Sequence, residues 1–151
     1  MRLLCDRMLL GLARWTRAAG HDTAVVESEA RGPAVLARAA SERRRLVTRA
    51  RALAERNAGA ILLTGDTLDE QAAALAGGAD LDRLQAPFTR CLVDNQPLRT
   101  VEPDRLPDIP DSARSLSGPF RTCPECGRSY WPGSHMRRMR ARLERWATAK
   151  P

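Results

Sequence analysis

The sequence predicts an α/β fold with a parallel sheet covered on both faces, followed by a metal-stapled ribbon and a basic C-terminal helix. Three observations predict it. Short, continuously apolar runs alternate with helical stretches in the first half, the pattern of strands buried on both sides. Two ligand pairs with i, i+3 spacing, Cys91/Asp94 and Cys123/Cys126, follow in a proline-rich second half. The last stretch then carries an apolar stripe at helical spacing among arginines.

In chain order, residues 2–6 (Arg-Leu-Leu-Cys-Asp) read as a buried first strand ending in a carboxylate, with Cys5 in the core and without a chemical role. A helix follows over 8–19, apolar at Met8, Leu9, Leu12, Ala13, Trp15 and Ala19, with Gly20 at its end. Residues 23–27 read as a second strand. Between 33 and 57 two readings stand: one long helix opening at Pro33, or helix, strand, helix with 46–48 as the strand. Residues 60–66 read as a further buried strand ending in Gly65-Asp66. Thr67 and Glu70 form a capping box for a helix over 68–75, closed by Gly77-Gly78. Asp6 and Asp66 are therefore expected at carboxyl ends of strands, where open parallel sheets bind ligands. Two carboxylates there suit Mg²⁺ or Mn²⁺, which activates water toward a phosphodiester. The alternative is that each merely caps the turn or helix that follows it, and it is a strong one for Asp66 beside Thr67.

Beyond Pro87 the composition shifts, with Pro97, Pro103, Pro107, Pro110 and Pro119 between the ligand pairs. The expected division is a domain over 1–86 and a zinc ribbon with its helix over 87–151. Cys123-Pro-Glu-Cys-Gly127 is a metal knuckle: a tight turn aims N–H groups at both sulfurs, and glycine tolerates the left-handed conformation at its end. Two thiolates leave a tetrahedral Zn²⁺ incomplete, so Cys91 and Asp94 are the expected partners, with His135 competing for the fourth position. A redox or disulfide pair is the alternative for Cys-x-x-Cys, but such pairs open helices, and this one precedes a strand-like Gly-Arg-Ser-Tyr-Trp-Pro.

Hydrophobic residues make up 43% and charged residues 28%, ordinary for a globular domain, but the formal charge is +7. Lys150 is the single lysine, so the excess is arginine, whose planar fork suits phosphate. A GC-rich coding bias explains arginine over lysine but not the excess of base over acid. The helix expected over 135–149 is apolar at Met136, Met139, Leu143 and Trp146, with Arg137, Arg138, Arg140, Arg142 and Arg145 around it. Candidate nucleic-acid contacts are Arg14, Arg17, Trp131, His135, Arg137, Arg138 and Arg142, with RNA as the partner. No apolar run reaches the ~20 residues of a membrane span. An acid as early as Asp6 argues against a signal peptide, and metal-type cysteine spacing points to a reducing cytoplasm.

Together these pieces resemble the mut-7 C-terminal ribonuclease domain family, a PIN-like three-layer nuclease domain with a zinc ribbon. The resemblance runs along nearly the whole chain. It rests on Cys5-Asp-Arg-Met-Leu9, Leu12-Ala-Arg-Trp-Thr-Arg-Ala-Ala-Gly-His-Asp22, Leu62-Leu-Thr-Gly-Asp66, Arg90-Cys-Leu-Val-Asp-Asn95 and the stretch 123–135, in the family's order. It implies that 46–48 is a strand and that an RNA-cleaving site is built on Asp6 and further acids. The chain departs from the pattern at three places: Ala50 stands where a ligand aspartate is expected, Arg31-Gly-Pro33 where an acid is expected, and Asp94 where the family has cysteine. The remaining acids are Asp6, Asp66 and Asp69. Three functions stay open: a metal-dependent ribonuclease, an RNA-binding module that has lost catalysis, and an adaptor for an acidic protein.

Overall fold

Strands of the main sheet are short and apolar because helices bury them from both sides. The computed structural model describes residues 1–79, 81, 82, 84–101 and 109–148. β1 (Arg2–Cys5), β2 (Asp22–Val25), β3 (Arg45–Thr48) and β4 (Ile61–Leu62) pair in parallel in the order β2-β1-β3-β4. Alternation along β1 and β3 divides their side chains between two cores. Leu3, Cys5 and Val47 meet α1 (Leu10–Ala18) and α4 (Leu68–Gly78), and Leu4 and Leu46 meet α2 (Gly32–Ser41) and Leu53 of α3 (Arg51–Glu55).

The open reading of 33–57 is settled as helix, strand, helix. Leu46, Val47 and Thr48 are wholly buried as strand residues beside β1, a burial that a continuous helix forgoes. Pro33 sits in the first turn of α2. The capping box forms, with Glu70 Oε2 accepting from the N–H groups of Asp66 and Thr67 at 2.9 Å each. Gly77 and Gly78 are the last two residues of α4, so the helix runs three residues past Leu75. After α1 the chain turns at Gly20, with φ +101°, where a Cβ would stand 2.4 Å from the Ala86 carbonyl oxygen.

The second half adds β5 (Arg99–Thr100), α5 (Asp111–Arg114), β6 (Arg121–Thr122), β7 (Ser129–Tyr130) and α6 (Ser134–Thr148), with β5-β6-β7 an antiparallel sheet. The expected Pro103, Pro107 and Ala149 features lie outside the described residues. The boundary expected at Pro87 is crossed by a shared core. Met139 and Leu143 of α6 are buried with Ala18, Ala19 and Phe88, and Trp146 also reaches the core under α1 and α4. Among the described residues no helix is long and apolar enough to cross a membrane.

Asp22 ties these parts together, accepting from Arg44 and Asn95 Nδ2 at 2.6 Å each and from Arg2 at 3.3 Å. Burial opposes its charge, but the Arg44 and Asn95 bonds outweigh it and hold the carboxyl at about 2, below the usual 3.8. Its folded pKa is depressed, so its stabilisation is complete above roughly pH 4 and is lost as pH falls toward about 2. Asp22→Asn is expected to cost on the order of 2 kcal/mol at neutral pH and to flatten the stability profile across that acid window. Urea melts from pH 7 to 2.5 measure both; parallel profiles for the two proteins would refute the assignment.

Candidate metal centre and carboxyl edge of the sheet

Both knuckles are hairpin turns of one design. In the second, Gly127 N–H donates to the Cys123 carbonyl at 3.0 Å, and Gly127 has φ +69°. In the first, Asn95 N–H donates to the Cys91 carbonyl at 3.1 Å, and Asn95 has φ +63°. Asparagine tolerates this left-handed conformation better than most residues. Here it also supplies a side chain that glycine lacks, which accepts from Thr23 N–H at 2.9 Å and donates to Asp22.

The turns bring one ligand atom each from Cys91, Asp94, Cys123 and Cys126 within 4.8 Å of one another. Cys91 Sγ lies 3.9 Å from Cys126 Sγ, and Asp94 Oδ2 lies 3.5 Å from both Cys91 Sγ and Cys123 Sγ. Tetrahedral zinc, with Zn–S of about 2.3 Å and Zn–O of about 2.0 Å, sets sulfurs about 3.8 Å apart and sulfur to oxygen about 3.5 Å. The donor set therefore fits zinc, and the spacings are too long for a disulfide. His135, the competing fourth ligand, is exposed in the first turn of α6 and outside the group.

The surroundings prepare the sulfurs. Burial works against ionising Cys91, yet the Asp94 N–H, the Tyr130 hydroxyl and the Val93 N–H hold its thiol below the usual value. Tyr130 O–H lies 3.2 Å from Cys91 Sγ while accepting from Leu92 N–H at 3.0 Å. No motif spacing marks Tyr130 as a partner of this site. Its position in β7, three residues past the knuckle glycine, is the available signal. At the exposed rim, a hydrogen bond to the Asp94 carboxylate pushes the Cys126 thiol up to about 11, so metal uptake must expel that proton.

The carboxyl edge of the sheet is arranged differently from expectation. Asp6 directly follows β1; its N–H donates to the Val47 carbonyl and its Oδ2 accepts from the Thr48 hydroxyl at 3.0 Å. Asp66 is not at a strand end. β4 stops at Leu62, and the turn at Gly65 carries Asp66 out to 93% side-chain exposure, where it pairs with Arg49 at 2.8 Å. Nor are the strands before Asp6 and Asp66 neighbours, because the apolar β3 takes the buried place between β1 and β4. Ala50 follows β3 in that middle position, its N–H donating to the Thr48 hydroxyl at 3.0 Å. Asp69 is engaged by Trp146 Nε1 at 2.6 Å and by Arg142 at 3.0 Å. Among the described residues, the Cys91 group is the one place where three or more metal-ligating side chains gather.

The arginines divide into exposed and buried or stacked ones, and among the exposed Arg137 also donates to the Pro132 carbonyl at 3.0 Å. Arg14, Arg137 and Arg138 are exposed, as is His135, and Trp131 is half-buried. Arg17 is 4% exposed and gives Nε and Nη1 to backbone carbonyls, so burial withdraws it from a phosphate on the surface. Arg142 is also committed: its guanidinium stacks on Trp15 and Trp146, 5.2 and 5.1 Å from their ring centroids, and it bonds Asp69.

Comparison with known proteins agrees with this assembly. No curated protein and no solved structure matches the chain. The profile of the Mut7-C RNAse domain matches residues 1–143, spanning the parallel sheet, both knuckles and most of α6. The chain belongs to the Mut7-C RNAse domain family.

Proposed function

We propose that this chain binds RNA as its main activity and cleaves it slowly or not at all. Membership of a ribonuclease domain family supports an RNA-related role. The observation that carries the finer reading is the carboxyl edge: β3 separates Asp6 from Asp66, and Ala50 rather than an acid follows β3. Metal-dependent hydrolysis needs several carboxylates to neutralise the cations and hold their geometry. Here Asp66 and Asp69 are neutralised by Arg49 and Arg142 instead. RNA contact falls to the exposed Arg14, His135, Arg137 and Arg138, with Trp131 offering a stacking face.

A cleavage assay on single-stranded and hairpin RNA, with Mg²⁺ or Mn²⁺, tests this. Slow or undetectable cleavage is expected from the unaltered chain. Ala50→Asp is expected to raise Mn²⁺ affinity or cleavage by about tenfold, because it returns a carboxylate to the central strand end. Brisk Mg²⁺-dependent cleavage lost in Asp6→Asn would establish a working hydrolytic site and overturn the proposal.

A further inference from the structure

We propose that the buried Arg17 is a positioning residue of the metal centre, polarising the peptide groups that face Cys91 and locking the first knuckle to the sheet edge. Its Nη1 donates to the carbonyls of Leu92 at 3.0 Å and Val93 at 2.7 Å. In a planar trans peptide, C=O and N–H point in opposite directions. Holding those two carbonyls therefore aims the N–H groups of Val93 and Asp94 away from Arg17, and the Asp94 N–H meets Cys91 Sγ at 3.4 Å. A cation on the carbonyl side strengthens each such donor through the chain of hydrogen bonds.

Charge makes the same demand. Three thiolates and a carboxylate bring more negative charge than a zinc dication neutralises. Cys91 and Cys123 are buried, so part of that excess lies away from water. Arg17, itself 4% exposed, supplies a fixed positive charge beneath the turn.

The same guanidinium reaches the sheet. Arg17 Nε donates to the Thr23 carbonyl at 2.8 Å, while the Thr23 N–H donates to Asn95 Oδ1 at 2.9 Å. β2 is an edge strand, so these are backbone groups without a neighbouring strand to satisfy them. The knuckle thereby closes the sheet edge, and metal occupancy and order in β2 become coupled.

Zinc competition against a chromophoric chelator, Co²⁺ absorption spectra and amide exchange test the coupling. Arg17→Met is expected to weaken zinc about 10- to 100-fold, the range for residues supporting metal ligands, and to alter the cobalt–thiolate charge-transfer band. Arg17→Lys should recover part of the affinity. Arg45→Met removes an arginine bonded to the Gly59 and Gly78 carbonyls without touching the knuckle, and should leave affinity and spectrum unchanged. In the unaltered chain, removing metal should speed exchange at the Thr23 amide. Unchanged affinity and spectrum in Arg17→Met, or a Thr23 amide indifferent to metal, would overturn the inference; should Arg17→Met fail to fold, the exchange measurement on the unaltered chain decides. It rests on the metal-centre reading: a chain that takes up no zinc overturns both, while zinc uptake indifferent to Arg17 overturns this inference alone.

Discussion

Chelation of zinc is expected to melt the β5–β7 sheet and both knuckles, and purified protein is expected to hold about one zinc per chain. Each strand of that sheet has two residues, too few to bury a core of their own. A structural zinc contributes on the order of 10 kcal/mol, comparable with the whole stability of a domain of this size. α6 should survive as helix, because Met139 and Leu143 are anchored under α1 rather than in the ribbon. Asp94→Ala should weaken zinc and Asp94→Cys should tighten it, since a thiolate replaces a carboxylate in the same turn. Affinity should fall with acid, because every ligand must lose its proton before it binds. Metal analysis, far-ultraviolet dichroism and amide exchange across 89–130 provide the check. A metal-free chain with a fully protected ribbon would refute the centre.

Reversing Arg137, Arg138 and Arg145 to glutamate is expected to lower RNA affinity roughly a hundredfold at low salt, whereas Asp6→Asn should change it less than about twofold. All three arginines are exposed on α6. Each phosphate neutralised on a single strand adds about 0.7 to the log–log salt slope, so losing three contacts should flatten it by about 2. Arg142 is left out because its stacking between Trp15 and Trp146 makes its reversal a folding defect. Fluorescence anisotropy with labelled single-stranded RNA across a salt series measures affinity and slope together. Affinity indifferent to salt and to the reversals would instead favour an acidic protein partner.

Local chemistry was legible in the residues. Thr67 and Glu70 announce the start of α4, because a capping box involves only four consecutive positions. Cys123-Pro-Glu-Cys-Gly127 announces a knuckle for the same reason, and Asp94 could be read as the partner in place of a cysteine because spacing alone placed it. Family motifs in order along the chain carried the family and the α/β class with them.

What tertiary structure decided was the fate of groups whose partners lie far away in sequence. Arg17 and Arg142 look in the sequence like members of one basic surface, yet one meets carbonyls 75 and 76 positions on and the other an aspartate 73 positions back. Periodicity cannot report such bonds, because it records which side chains share a helix face but not what packs against that face. The strand between 33 and 57 was undecided for a similar reason: Leu46-Val-Thr48 becomes a strand by pairing with β1, and burial there outweighs the helical propensity of its flanks. By inserting between β1 and β4, that strand also separates Asp6 from Asp66. The sequence by itself brought out the four candidate metal ligands, since each pair lies within one turn, while leaving His135 in competition for the fourth place. Only the packed sheet decided that β3 comes between the strands that precede Asp6 and Asp66, since strand order is set by which apolar segments bury one another.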